Sequence, residues 1–383
     1  PYNTGNEGWV YNDNVNDPKI KKWLGEVVGK EGEDLTRHDK WLCMMYPRLK
    51  LLQKLLADDG VIFISIDDTE CSNLILICNE IFGASNFVAN VSWQRTYSPR
   101  NDSKGIVSEV EHLVVFSKNP GWQPNKLPRT EAMDSRYKNP DNDVAPWKSS
   151  DAFAPGAATH QGMVYAIQHP FTGEMLYPSN GRCWRYQQSS MLEYMQGWCN
   201  YRLENLHDEK ERARVCGIDE SAVRKDVLAI VLEEPLEVSA AKAQKVYNRG
   251  RWPGFYFTKG GYGGIARKTY LENVGGRLPT NLWMYEETGH TDEAKKELIS
   301  LFGGRSPFDT PKPTRLLDFV LKVAGTSETL MLDSFAGSGT TAHAVLNANK
   351  ADNGNRHFIL IEMMDYADSI TAERVKRVIK GYG

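Results

Sequence analysis

The stretch Asp333-Ser-Phe-Ala-Gly-Ser-Gly-Thr-Thr-Ala342 follows an apolar run, Leu330-Met331-Leu332, and opens a helical pattern from Thr340 to Asn349. A second apolar run, Phe358 to Ile361, ends on Glu362. The order predicts a strand, a glycine turn, a helix and a second strand closing on an acid. Gly337-x-Gly339-x-x-Ala342 has the glycine spacing of a nucleoside-binding βαβ unit, and Glu362, 23 residues past Gly339, stands where a ribose-binding carboxylate is expected. Glycines let the backbone approach a ligand closely, and a carboxylate can accept from two ribose hydroxyls. A phosphate-cradling loop is disfavoured because Thr340, not lysine, follows Gly339. A nicotinamide dinucleotide stays open on these residues, as does a plain tight turn. Such units usually begin a domain, and here the unit ends one.

A chain of 383 residues is long enough for two domains or more, and 41% hydrophobic with 25% charged residues is ordinary for a globular enzyme. No apolar run approaches the roughly 18 residues that span a membrane, so a cytoplasmic protein without a membrane partner is expected. Cys43, Cys71, Cys78, Cys183, Cys199 and Cys216 show no Cys-x-x-Cys pairing and no metal spacing with the eight histidines, which reads as free thiols and no metal site.

The net charge of −3 hides an uneven distribution. No acidic residue occurs from Val238 to Leu271, whereas Lys242, Lys245, Arg249, Arg251, Lys259, Arg267 and Lys268 are interleaved with Tyr247, Trp252, Phe255, Tyr256, Phe257, Tyr262 and Tyr270. Cations pair with phosphates and aromatic faces stack on bases, so Lys245, Arg249, Arg251, Trp252, Lys259, Arg267 and Lys268 are candidate DNA-binding residues. A solvated basic face beside an aromatic mini-core is the plainer alternative.

Three segments can be drawn. Residues 1–120 alternate helix and strand signals: a helical period from Asp39 to Asp58, with Pro47 placed to kink it, an apolar strand Val61–Ile66, a helix capped by Thr69 and running to Phe82, and a strand at His112–Phe116. Residues 121–305 are broken by Pro, Gly and Asn, with helical periodicity only near Glu204–Val215 and Ser221–Leu232. That character predicts an inserted module of mixed α/β structure. Residues 306–383 hold a helix from Thr314 to Ala324, the βαβ unit and a last helix from about Asp368 to Lys380. The first and third segments are each expected to supply half of one Rossmann-like α/β sheet with helices on both faces.

Both ends of the chain carry a resemblance. Pro1-Tyr2-Asn3-Thr4-Gly5-Asn6, Tyr11-Asn12-Asp13, Pro311-Lys312-Pro313 and Phe335-x-Gly337-x-Gly339 together resemble the amino-methyltransferases of DNA, whose catalytic motif is Asp-Pro-Pro-Tyr and whose cofactor motif is Phe-x-Gly-x-Gly. In one subgroup, the beta subgroup, the catalytic motif comes first and the cofactor motif last, as here. The closest form is the modification subunit of type III restriction-modification systems. By that resemblance the motif's aspartate and first proline would precede Pro1, making the chain a fragment, and more chain would follow Gly383. It implies a Rossmann-like S-adenosylmethionine-dependent methyltransferase in permuted motif order with an inserted target-recognition domain. Asp333, Phe335, Gly337, Gly339 and Thr340 would line the cofactor, Glu362 would hold its ribose, and Thr310 and Lys312 would sit near its amino-acid end. Tyr2 would stack on a flipped base, and Pro1 would offer a carbonyl to the exocyclic amine. Asp67 and Asp68 read as loop or cap residues, with a site-lining role as the alternative.

The resemblance further implies adenine N6 methylation of double-stranded DNA, because Asn3-Thr4-Gly5 after the tyrosine is similar to the adenine-specific subgroup. It implies a homodimer and a helicase-nuclease restriction subunit as partners. The rivals are a cytosine-N4 methyltransferase, a non-catalytic DNA-recognition subunit of the same fold, and a dehydrogenase.

Overall fold

The computed structural model describes residues 2, 3, 22, 26, 37–98 and 105–381. Pro1, the Thr4–Asn6 segment and Tyr11–Asp13 lie outside them. The chain divides into two compact units, one formed by residues 1–127 with 277–383 and the other by 128–276.

The first unit is built around a four-stranded sheet in which Val61–Ile66, Val110–Ser117, Phe87–Gln94 and Leu282–Trp283 are neighbours in that order. The first three pair antiparallel, and Leu282–Trp283 runs parallel to its neighbour. Alternation along Val110–Ser117 explains the two-sided core, because successive side chains of a strand point to opposite faces. Val114 and Phe116 pack with Trp41, Met45 and Leu49 of the helix Arg37–Leu55 and with Leu74 and Cys78 of the helix Cys71–Phe82. Leu113 and Val115 pack on the other face with Leu316, Phe319, Val320 and Val323 of the helix Thr314–Ala324. The helix Arg37–Leu55 runs through Pro47. Thr69 does not cap the next helix. Glu70 occupies the cap position without a side-chain bond to the helix's first amides, and the Thr69 amide donates to Asp67 instead.

The βαβ unit forms as its pattern predicts. Leu330–Asp333 and His357–Leu360 pair in parallel, joined through the helix Thr340–Asp352. Met331 and Phe358 pack on Leu321, Ala344 and Val345. Among the described residues this two-stranded ladder is separate from the four-stranded one rather than the other half of a single sheet. Shared packing unites the unit instead, with Met331 against the Leu113 face and Phe335 against the Trp41 face.

Residues 277–305, expected in the inserted module, belong to the first unit. Trp283 is buried in its core, and the Arg277 and Leu127 backbones bond to each other where the chain leaves and re-enters. The final segment forms a π turn, Ala367–Ala372, before the helix Glu373–Lys380.

The second unit is a set of small sheets around an aromatic core. Phe255–Phe257, Ile265–Tyr270 and Trp147–Asp151 form one sheet. Trp147, Trp184, Trp198, Tyr165, Tyr201, Phe255 and Phe257 are buried in a common cluster. Helical periodicity near Glu204–Val215 becomes the helix Glu209–Cys216. Ser221–Leu232 instead holds a short 3-10 turn and the strand Ala229–Leu232, all four of whose residues are buried.

Lys268, expected on a DNA-facing surface, is inside this unit. Its side chain is shielded from solvent, its ammonium is ion-paired with Asp141 and Asp143, and it donates to the Trp252 carbonyl at 2.8 Å. Asp141 also accepts from Trp147 Nε1 and from the Trp252 amide, so the lysine completes a buried polar network rather than a phosphate contact. Among the described residues no helix is long and apolar enough to cross a membrane.

Removing one member of a buried ion pair strands its partners in low dielectric. Lys268→Ala is expected to destabilise the protein by about 3–5 kcal/mol. Denaturant unfolding followed by tryptophan fluorescence checks this, and unchanged stability would show that the network contributes no net energy.

Candidate cofactor and catalytic site

The glycine turn is shaped by two left-handed backbone positions, Gly337 at φ +50° and Gly339 at φ +77°. A Cβ at Gly339 would lie 3.0 Å from the Thr371 carbonyl oxygen, and one at Gly337 would lie 3.2 Å from the Phe308 ring. Neither position has both the conformation and the room for a side chain. Asp333, at the end of the first strand, holds the turn from inside. One carboxylate oxygen accepts from the Phe335 amide at 3.2 Å and the other from Thr341 Oγ1 at 2.6 Å. Burial raises its carboxyl above the ordinary value despite those bonds.

Glu362 comes two residues after the second strand ends and closes the turn from the other strand. It accepts from the Gly337 amide at 2.9 Å and from the Met363 and Met364 amides at 2.9 and 3.0 Å. A carboxylate offers about four acceptor positions, so these three donors leave capacity for a hydroxyl. Thr340 is buried, and its hydroxyl donates to the Lys312 carbonyl at 3.1 Å. Thr340 therefore ties the turn to the Pro311–Pro313 segment. Thr310, two residues before Lys312, is half-buried.

A second cluster surrounds Tyr2, with the buried Glu111 at its centre. It accepts from the Tyr2 hydroxyl at 3.0 Å, from Lys312 Nζ at 2.7 Å and from Arg95 Nη1 at 3.1 Å. The Lys312 ammonium lies 4.7 Å from the centre of the Tyr2 ring and 5.4 Å from the Trp93 ring, within the range of cation–π attraction. Burial opposes ionisation of Glu111, yet Lys312 and Arg95 hold its carboxyl below the ordinary value. Burial and then the Glu111 carboxylate push the Tyr2 phenol well above its ordinary range, so the ring is a neutral, hydrogen-bonded plane at physiological pH.

Asp333, Phe335, Gly337, Gly339, Thr340 and Glu362 thus meet in one turn, and Tyr2 and Lys312 meet around Glu111, with the Thr340–Lys312 bond joining the clusters. Tyr2 and Phe335 pack against the same apolar cluster. Asp67 accepts from the Thr69 amide, and Asp68 pairs with His112 at 2.9 Å and with Ser108. Sequence reasoning missed Glu111, Trp93, Arg95, Thr371 and Arg374. Glu111 had a signal, since a carboxylate inside the run Val110–Phe116 needs a reason to be there.

In the second unit Lys245 and Arg249 are exposed on the helix Leu236–Arg249, and Arg251 and Lys259 are exposed at turns. Arg267 is half-buried on the strand Ile265–Tyr270. Trp252 stacks on Tyr247, with ring centroids 4.8 Å apart, and on Tyr256. Its indole N–H donates to the Tyr247 carbonyl.

The depressed Glu111 carboxyl has a defined pH signature. Its stabilisation is fully present above the ordinary carboxylate value, roughly pH 4.3, and is lost as the pH falls through the lower folded-state value. Glu111→Gln is expected to destabilise the protein at neutral pH by about 1.5–3 kcal/mol, the worth of hydrogen bonds to a charged group. That gap should close in acid. Denaturant midpoints across pH check it, and a gap independent of pH would show that the charge is not responsible.

Comparison with known proteins adds a family to this geometry. Residues 1–373 match the family model described as DNA methylase. The Mod subunit of the type III restriction-modification enzyme StyLTI, from Salmonella typhimurium, is 31% identical, over 99% of this chain and 52% of that protein. The EcoPI Mod subunit from Escherichia phage P1 is 29% identical over 94% of this chain and 52% of its own length, and the EcoP15I Mod subunit from Escherichia coli is 26% identical over 100% and 56%. The chain spans about half the length of these curated relatives. The family match runs from the tyrosine cluster through the inserted unit to the glycine turn and the segment behind it, and the chain belongs to the DNA methylase family.

Proposed function

We propose that this chain is the methyltransferase portion of a modification subunit, transferring a methyl group from S-adenosylmethionine to adenine N6 in double-stranded DNA. The observation that carries the reading is the joining of two clusters, the glycine turn with its Glu362 carboxylate and the Tyr2 plane anchored by Glu111, through Thr340 and Lys312. The donor set suits the cofactor: a turn without side chains for close backbone approach, and a carboxylate with spare acceptor capacity for ribose hydroxyls. When bound, S-adenosylmethionine supplies a methyl on a sulfonium that is already a good leaving group.

The chain's own residues then have to solve two problems. An exocyclic amine is a poor nucleophile because its lone pair is delocalised into the base. Acceptors for its two hydrogens localise that pair, and in this reading the Pro1 carbonyl is one of them. The base must also leave the duplex, which costs stacking energy that an aromatic face can return. Tyr2 is assigned that role, its hydroxyl fixed by Glu111 so that the ring plane is set before the base arrives. Asp333 and Phe335 shape the turn, and Lys312 and Thr310 stand near the cofactor's amino-acid end.

The second unit is assigned target recognition. Within Val238–Leu271, Lys245, Arg249, Arg251 and Lys259 are the exposed cations, and Arg267 and Trp252 in the same stretch are half-buried. The names of the relatives as Mod subunits of type III enzymes support a modification role. With it come double-stranded DNA as substrate, a homodimer, a restriction subunit as partner, and a cytoplasmic location where genomic DNA is met. Cytosine N4 is the second target to weigh, since membership of the DNA methylase family does not set N6 against N4.

The deciding experiment is nucleoside mass spectrometry of DNA from a methylation-free host expressing the full-length protein that contains this chain. N6-methyladenine is expected. N4-methylcytosine would replace the target base, and neither product from folded protein would favour a non-catalytic recognition subunit. Arg249→Ala with Arg251→Ala should also weaken DNA binding and flatten its salt dependence, by a slope of about 0.9 for each phosphate no longer neutralised. An unchanged slope would place the DNA on other residues.

A further inference from the structure

The last elements of the first unit carry polar groups that no step above uses. Thr371, in the π turn Ala367–Ala372, donates its hydroxyl to the Gly337 carbonyl, and its own carbonyl oxygen fills the space where a Gly339 Cβ would be. Arg374, one turn later, has no solvent exposure. One terminal nitrogen of its guanidinium donates to Ser338 Oγ at 3.2 Å and Thr340 Oγ1 at 2.9 Å. The other donates to Glu297 Oε2 at 3.0 Å and Thr314 Oγ1 at 3.2 Å, and faces His343 Nδ1 at 3.2 Å. Thr314 in turn donates to the Glu297 carboxylate.

These bonds converge on one object. Gly337, Ser338 and Thr340 are three of four consecutive residues of the glycine turn, and each is gripped by Thr371 or Arg374. Thr340 passes the constraint on to the Lys312 carbonyl, and Thr314 begins the helix after it. Fold stability alone does not explain a fully buried arginine here. Apolar residues of similar volume commonly stabilise as well as a buried ion pair or better, and what an ionic network adds is a defined geometry. A planar fork fixes direction where a point charge would not. Burial pushes the guanidinium down to about 10, which leaves it charged and donating at neutral pH.

We propose that Thr371 and Arg374 are positioning residues that hold the glycine turn in its cofactor-receiving conformation from behind. The proposal deepens the cofactor reading above and rests on it. Neither residue touches the ligand in this scheme. Both act by fixing carbonyl and hydroxyl directions of Gly337, Ser338 and Thr340, so that the order of the turn is not a cost of binding.

The test uses calorimetric titration of the full-length protein with S-adenosylhomocysteine, alongside DNA affinity and thermal melting of the same variants. Thr371→Val keeps the shape and removes one donor, so cofactor Kd should rise about tenfold while DNA Kd stays within about twofold. Thr371→Ser restores the hydroxyl and should return the wild-type Kd. Arg374→Lys keeps the charge without the fork and should weaken the cofactor by about tenfold or more. If Arg374→Lys does not fold, the Thr371 pair decides alone. An unchanged cofactor Kd in Thr371→Val would overturn the proposal, as would parallel loss of cofactor and DNA affinity. Wild-type protein that binds no S-adenosylhomocysteine would overturn the cofactor reading first and this one with it, an outcome distinct from a wild-type site that the variants leave untouched.

Discussion

The chain reversal at Gly337 and Gly339 is the constraint on which the first unit's chemistry depends. A parallel strand pair needs a crossover, and this crossover turns immediately after Asp333. Two residues with positive φ make the reversal, and the surrounding groups close on it wherever a side chain would otherwise be. Asp333 holds it from within, Glu362 from just beyond the second strand, and Thr371 from the π turn Ala367–Ala372. A backbone fixed on three sides presents its remaining polar groups in defined directions, which is the condition for binding a small polar ligand without first ordering the site.

Buried charge serves a similar purpose at three places. Glu111 gathers Tyr2, Lys312 and Arg95, Lys268 gathers Asp141 and Asp143, and Arg374 gathers Glu297 with the turn hydroxyls. In each, one charged group satisfies partners from segments far apart in the chain. Such hubs are expensive to leave incomplete, so they define geometry more than they add stability. In the second unit the hub bonds the backbone of Trp252, whose ring stacks on Tyr247 and Tyr256, and Asp141 accepts from the Trp252 amide next in sequence to the exposed Arg251.

Local pattern was a good guide where a single period dominates. The helix Thr314–Ala324 lies where its periodicity puts it, because it buries an apolar face, and the strand Val61–Ile66 lies on an apolar run that packs on both sides of the sheet. The guide failed in the second unit. Ser221–Leu232 has a helical spacing of apolar residues, yet Ala229–Leu232 is a strand buried on both faces, where periodicity carries no information. Residues 277–305 looked like more of the insert because they are short on pattern. Leu282 and Trp283 nevertheless join the first unit's sheet through backbone pairing, which any sequence can supply.

The amino-acid order by itself determined the strand, turn, helix and acid of the βαβ unit, since each is a local matter of glycine conformation and apolar period. It also determined the presence of a tyrosine near the start and of a basic, aromatic stretch in the middle. Tertiary structure decided which of those charges face water. Lys268 and Arg267 are adjacent on one strand, and the pleat sends the first into the interior and leaves the second partly exposed. Glu111 and Arg374 became hubs only through partners 109 residues away at Tyr2 and 77 away at Glu297. No local pattern encodes such a pairing, because the worth of a buried charge lies in what the fold brings to it.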